Sequence, residues 1–283
     1  MNALDLAPSA HPTIAFIGGG NMASALIGGL LKTGRPAASV LVLDPGATQR
    51  EKLQADFGVR TLAAADGSLR EAAVVVWAVK PQLFKEAAAP CAAHIGGALQ
   101  FSVMAGIRCA SIAAAIGAEA GSARIVRSMP NTPALIGRGI AGLFATAAVQ
   151  PAERTLVEQL LAPTGQTMWV AAEADLDAVT ALSGSGPAYV FHFVEAMMDA
   201  AAAMGLTPEQ GKRLALATFD GAAALAAQSD EPPSVLRERV TSKGGTTYAA
   251  LESMRADGVH AAIVRAVRAA QQRAKELGDE FGS

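Results

Sequence analysis

The chain has 283 residues, 51% of them apolar and only 5% aromatic, with a formal charge of −2. That length leaves room for two cores, and without a basic excess or a Lys/Arg cluster interleaved with aromatics no nucleic-acid partner is expected. Cys91, Cys109 and four scattered histidines match no metal or redox spacing, no apolar run nears the roughly 20 residues that span a bilayer, and residues 1–12 lack the basic start and apolar centre of a signal peptide, so neither a metal, a membrane nor export is expected.

A reduced, cytoplasmic protein is the resulting expectation. Residues 1–11 read as a disordered tail. Thr13, Ile14, Ala15, Phe16 and Ile17 fit a buried strand, and Met22, Leu26 and Leu30 recur behind it at helical spacing. The three glycines between them therefore lie at a strand-to-helix turn. In the pattern Gly18-x-Gly20-x-x-Ala23, the first glycine permits a tight turn and the second lets backbone approach a pyrophosphate. The small Ala23 lets the helix pack close to its strand, with its N-terminus facing the phosphate charge. The turn reads as a dinucleotide site.

Gly34 closes the first helix, and Val40, Leu41, Val42 and Leu43 make a second buried strand ending at Asp44. That acid lies roughly twenty residues beyond the glycine turn, where a carboxylate accepts from both ribose hydroxyls of NAD and repels a 2'-phosphate. Arg50 starts the next helix and could reach a 2'-phosphate, so the choice of cofactor stays open. A weaker strand over residues 58–62 precedes a fully apolar one over residues 73–79, as a central parallel strand should be. It ends at Lys80-Pro81, so Ala78, Val79, Lys80 and Pro81 are expected to border the cofactor at the carboxyl edge of the sheet.

A helix over residues 82–94, a strand over residues 99–103 and a helix over residues 111–116 continue the alternation. In residues 124–133 two prolines bracket Asn131 and Thr132, holding an amide and a hydroxyl at one place; the segment suits a nicotinamide wall or an ordinary proline-rich loop. Residues 139–145 and 165–171 read as further strands around a helix over residues 151–162.

From about Asp175 the strand pattern stops. A short helix over residues 178–182 breaks at Ser183-Gly184-Ser185-Gly186-Pro187, and a longer one follows to Met204. Thr207-Pro208-Glu209-Gln210 supplies a capping box for a helix to about Gln228. Both long helices are too apolar for one exposed face, which points to burial against a second copy of the chain. After a short helix over residues 232–240, Ser242, Thr246 and Thr247 flank Gly244-Gly245 ahead of helices over residues 249–255 and 259–277. Such a loop is either a capped helix start or a place where free N–H groups attract a carboxylate.

The stretches Ala78-Val79-Lys80-Pro81, Met129-Pro130-Asn131-Thr132-Pro133, Leu182-Ser183-Gly184-Ser185-Gly186-Pro187-Ala188-Tyr189 and Ser242-Lys243-Gly244-Gly245-Thr246-Thr247, in this order after the glycine turn, resemble pyrroline-5-carboxylate reductases over residues 13–277. The resemblance implies an α/β fold: an N-terminal Rossmann dinucleotide-binding domain (residues 1–171) and an all-helical substrate and dimerisation domain (residues 172–283). It implies reduction of the cyclic imino acid (S)-1-pyrroline-5-carboxylate to L-proline by hydride from NAD(P)H, in a homodimer or a dimer-based decamer. By position Gly18, Gly20, Asn21, Met22 and Ala23 match the pyrophosphate loop. Ala78 to Pro81 and Val103, Met104 and Ala105 match the strand ends bordering the cofactor, and Asn131 and Pro133 the nicotinamide wall. Ser242, Gly245 and Thr246 match the carboxylate-binding loop, and Thr247 the threonine that meets the substrate nitrogen.

The family's habit favours NADPH, while Asp44-Pro45 stands where many members carry serine or asparagine followed by arginine, which leaves NADH possible. The family's ribose-side asparagine is replaced by Ala65 and Asp66. A protonated imine already accepts hydride, so the scarcity of acid/base candidates agrees with this chemistry. A β-hydroxyacid dehydrogenase, which needs an interior lysine for which only Lys212 is placed, and a non-catalytic dinucleotide sensor are the alternatives.

Overall fold

The computed structural model describes residues 11–119 and 121–282. The tail expected over residues 1–11 falls, His11 apart, outside them. Among the described residues eight strands form one sheet: β1 (Thr13–Ile17), β2 (Val40–Leu43), β3 (Arg60–Leu62), β4 (Ala72–Trp77), β5 (Leu99–Ser102), β6 (Ile125–Met129), β7 (Gly139–Ala145) and β8 (Gly165–Trp169), in the order β3-β2-β1-β4-β5-β6-β7-β8. The first six run parallel, β7 turns back against β6, and β8 follows β7 in parallel.

Among the described residues there are twelve α-helices: α1 (Asn21–Lys32), α2 (Ala47–Phe57), α3 (Phe84–Ala88), α4 (Ala92–Ile95), α5 (Cys109–Ala115), α6 (Pro151–Leu161), α7 (Asp175–Val179), α8 (Gly186–Ala203), α9 (Pro208–Ala227), α10 (Pro233–Arg239), α11 (Thr246–Ala256) and α12 (Val259–Gly282). By contact the chain divides into two compact units, residues 1–184 with 270–283, and residues 185–269.

In the first unit the period of two along each strand sorts side chains onto two faces. Ile14 and Phe16 of β1 join Val74 and Val76 of β4 under α1 and α6, while Ala15, Ile17, Val75 and Trp77 meet α3, α4 and α5. Both faces are covered, which is why these strands are apolar throughout rather than alternating. Trp77 spends its one donor on Gln100 Oε1 at 2.9 Å, and Gln100 gives its amide to the carbonyls of Ile95 and Ala98, so the polar pair inside this core is satisfied.

The structure departs from the sequence reading in four places. The helix expected over residues 82–94 is broken into a 3-10 turn, α3 and α4, with Pro90 between the last two. Residues 125–129, for which the sequence gives no strand, form β6 between β5 and β7. The short helix before Ser183 begins at Asp175 and continues as a π-helical turn over Thr180–Gly184. α11 starts three residues earlier than expected, so Thr246 and Thr247 sit in its first turn.

In the second unit α8 packs along α9, with Gly211 letting the helices approach: a Cβ there would stand 3.0 Å from that of Ala201. The capping box at Thr207 is formed, Gln210 N–H donating to Thr207 Oγ1 at 3.2 Å and Thr207 N–H to Gln210 Oε1 at 2.9 Å. Few large side chains of this unit are covered; Phe191 and Leu225 are both 60% exposed and Leu214 57%. Exposed apolar side chains on both long helices agree with the sequence expectation that these helices meet a second copy of the chain. Among the described residues no helix is long and apolar enough to cross a membrane.

Candidate active site

The order of connections reverses between β1 and β4, which are neighbours, so a crevice opens beyond their carboxyl ends. Gly18 sits at its base with φ +95°. A Cβ there would lie 2.8 Å from the Ala78 carbonyl oxygen and 2.9 Å from Val79 Cγ1, so the turn after β1 is pressed against the end of β4. Gly18 N–H donates to Leu43 O at 2.8 Å and Ala78 N–H to Ile17 O at 2.9 Å, tying three strand ends together. Gly19 is held against α2, where a Cβ would be 2.6 Å from Leu53 Cδ1.

Gly20 is different. Nothing lies within 4 Å of where its Cβ would stand, and it caps α1 without any side-chain acceptor. The first amides of α1, at Asn21, Met22 and Ala23, stand at the positive end of the helix dipole with no capping side chain. Ala23 itself is buried in the core under the sheet. A helix start of this kind could hold a diphosphate, its charge met by backbone.

Asp44 is already engaged. Its Oδ2 accepts from Gly19 N–H and its Oδ1 from Gly46 N–H, each at 2.9 Å, so the carboxylate staples the glycine turn to the turn after β2. A carboxylate has about four acceptor positions, so two remain for ribose hydroxyls. Arg50 Nη1 donates to the carbonyls of Asp44 and Pro45 at 2.8 Å each, which holds the guanidinium beside the same turn. Gln49, which the sequence reading passed over, donates through Nε2 to Gly19 O.

Farther along the sheet edge, Ala78 and Val79 are half-buried and Lys80 is exposed at the cap of the 3-10 turn begun by Pro81. Val103 and Ala105 are half-buried after β5, whereas Met104 is buried in the core and its N–H donates to Ser102 Oγ at 3.2 Å. Asn131 uses both ends of its amide internally: Oδ1 accepts from Ile140 N–H at 3.0 Å and Nδ2 donates to Ser183 O at 3.2 Å. It clips the Pro130–Pro133 loop to the start of β7 and to the π-helical turn. Pro133 is the second residue of the 3-10 turn that starts at Thr132.

The loop before α11 belongs to the second unit. Gly245 N–H donates to Ser242 O at 3.0 Å across a tight turn whose third residue, Gly244, has φ +76°, as a type II turn requires. Gly245 caps α11 without a side-chain acceptor, and Thr246 and Thr247 are exposed in the first turn. Among the described residues the hydroxyls of Ser242, Thr246 and Thr247 have no hydrogen-bond partner. A helix start beside three hydroxyls without partners could hold a carboxylate with a neighbouring hydrogen-bonding atom.

One ionic cluster behind the sheet edge was not visible in the sequence. Glu173 Oε1 accepts from Arg127 Nη1 at 2.8 Å and from Cys109 N–H, the first amide of α5, at 2.6 Å. Burial pushes the Glu173 carboxyl up, but the Cys109 amide and the Arg127 guanidinium together hold it below its ordinary 4.5. Asp177, nearby, is pushed up, chiefly by burial. A depressed carboxyl stabilises the fold above its unfolded pKa and loses that contribution as pH falls through its folded value. Glu173→Gln is therefore expected to lower stability at pH 7 by about 1–3 kcal/mol, with the gap to the parent closing below pH 4.5. Urea unfolding at both pH values checks this. Both thiols are buried and desolvation pushes them up, Cys91 to about 11, so neither is a nucleophile. No group of three or more metal-ligating side chains occurs among the described residues.

With this geometry in view, comparison with known proteins gives a consistent result. Residues 173–277 match the family described as pyrroline-5-carboxylate reductase dimerisation, and residues 13–106 that of the coenzyme F420-dependent NADP oxidoreductases. A pyrroline-5-carboxylate reductase of Pseudomonas aeruginosa is 46% identical over 274 residues, covering 96% of this chain and 98% of that one. Among solved structures, a pyrroline-5-carboxylate reductase from Coxiella burnetii matches with a TM-score of 0.87 at 35% identity, over 94% of this chain and 98% of that one. A Plasmodium falciparum pyrroline carboxylate reductase with NADP bound matches with a TM-score of 0.82 at 28% identity, over the same shares of each.

Proposed function

The chain belongs to the pyrroline-5-carboxylate reductase family, and on that premise we propose which of its residues carry out the reaction. The reaction is the reduction of (S)-1-pyrroline-5-carboxylate to L-proline by hydride from NAD(P)H, the last step of proline biosynthesis. The enzyme is an oligomer, residues 173–277 being its dimerisation region. A homodimer is the proposed unit, with residues 1–171 carrying the cofactor and residues 172–283 the substrate and the subunit contact. A reduced, cytoplasmic setting is proposed, which the two free buried thiols suit.

In this reading Gly18, Gly20 and the amides of Asn21, Met22 and Ala23 hold the pyrophosphate. Asp44 and Arg50 meet the adenosine ribose, and Ala78 to Pro81, Val103 to Ala105 and Pro133 border the rest of the cofactor. Asn131 shapes that border through Ile140 and Ser183. Ser242, Gly245 and Thr246 take the substrate carboxylate, and the Thr247 hydroxyl orients the ring nitrogen. The protonated imine accepts hydride at the carbon of its C=N bond, so alignment does most of the work.

The observation that carries this reading is the start of α11, where free amides and unspent hydroxyls match a substrate that pairs a carboxylate with a hydrogen-bonding nitrogen. The hydroxyacid alternative lacks its base: Lys212 is exposed in α9. The test is NADPH consumption with pyrroline-5-carboxylate and with 3-hydroxyacids under identical conditions. Turnover of the imine alone is expected; turnover of a hydroxyacid alone, or cofactor binding with no turnover, overturns the assignment.

NADPH is the proposed donor, with Arg50 facing its 2'-phosphate and Asp44 weakening that preference by repulsion. Asp44→Asn removes the charge and keeps an acceptor for Gly19 or Gly46. It is expected to shift the NADPH/NADH ratio of kcat/KM towards NADPH by about tenfold, or ~1.4 kcal/mol. Initial rates with both cofactors check this.

A further inference from the structure

We propose that the last turns of α12, from Leu277 to Phe281, are a positioning element that holds the Val103–Ala105 loop in the shape the dinucleotide needs, an inference resting on the reading that this loop borders NADPH. Two glycines mark the contact, one on each side. Gly106, with φ +76°, sits where a Cβ would stand 3.1 Å from the Phe281 ring and 3.5 Å from the Leu277 carbonyl. Gly278 sits where a Cβ would stand 2.9 Å from the Arg108 guanidinium. Each glycine clears room for a residue of the other segment.

Phe281 then packs against the core face that holds Met104, Ile107 and Cys109. Arg108 Nη2 donates to Asp279 Oδ1 at 3.0 Å, but Asp279 is largely exposed, so this pair contributes little beside the packing. The loop between β5 and α5 has no regular structure of its own. It is tied at one end by Met104 N–H to Ser102 Oγ and at the other by Cys109 N–H to Glu173. In between, Met104 and Ile107 are buried in the core and the turns of α12 pack over Gly106.

A loop without that support must be ordered when the cofactor arrives, and the ordering cost appears in cofactor affinity rather than in hydride transfer. The test uses the full-length enzyme, Phe281→Ala, Phe281→Leu and a chain ending at Leu277, with NADPH binding followed by fluorescence and steady-state constants for both substrates. Phe281→Ala and the shortened chain are expected to raise the Kd for NADPH about tenfold, while kcat and the KM for the imine stay within about twofold. Phe281→Leu, which refills the apolar contact, restores most of the affinity. Failure of the parent enzyme to bind NADPH would refute the cofactor reading itself. A parent that binds NADPH, with an Phe281→Ala variant that binds it equally well, overturns the positioning role, even if that variant melts earlier.

Discussion

Thr247→Ala is expected to lower kcat/KM for the imine by roughly ten- to a hundredfold, with the Kd for NADPH unchanged. The figure follows from losing one hydrogen bond to a charged nitrogen, about 1.5–3 kcal/mol. The fold should not suffer. Thr247 is exposed in the first turn of α11, and among the described residues its hydroxyl serves no other group. Alanine is also the better helix former, so stability is expected to hold or rise slightly. Thr247→Ser keeps the hydroxyl and should recover most of the rate. A threonine placed there only to start the helix would give the opposite pattern, with unchanged kcat/KM in the alanine variant, and Thr247 would then leave the mechanism.

The contrast between Thr247 and Asn131 shows what kind of information the sequence carried. The glycine turn, the apolar strands and the capping box at Thr207 are local patterns, each set by residues within one turn or one strand of each other, and they formed where expected. Asn131 was equally visible as a residue, but its partners are Ile140 and Ser183, brought to it only by the reversal of β7 and by the π-helical turn. Glu173 was missed altogether, because its partners Arg127 and Cys109 are remote in sequence and nothing near it distinguishes it from a solvated loop acid. β6 was missed for a related reason. Arg127 and Ser128 interrupt its apolar run, and only burial between β5 and β7 makes strand of them.

Gly18→Ala is expected to abolish measurable NADPH binding, weakening it at least about a hundredfold, and to lower stability by several kcal/mol. Two costs add. At φ +95° any side chain is strained, and the new methyl would stand 2.8 Å from the Ala78 carbonyl, a backbone atom held by the strand it ends. The turn must back away from β4, and the start of α1 goes with it, taking the Asn21, Met22 and Ala23 amides out of line. Gly20→Ala separates the two effects. Nothing lies within 4 Å of the added methyl, so the fold should melt as the parent does. That methyl nevertheless enters the open space at the start of α1, and a pyrophosphate seated there would be displaced, weakening NADPH by about tenfold. Thermal melts and NADPH titrations of both variants decide the matter: a Gly20→Ala enzyme that binds NADPH as tightly as the parent would mean that the diphosphate does not rest on this turn.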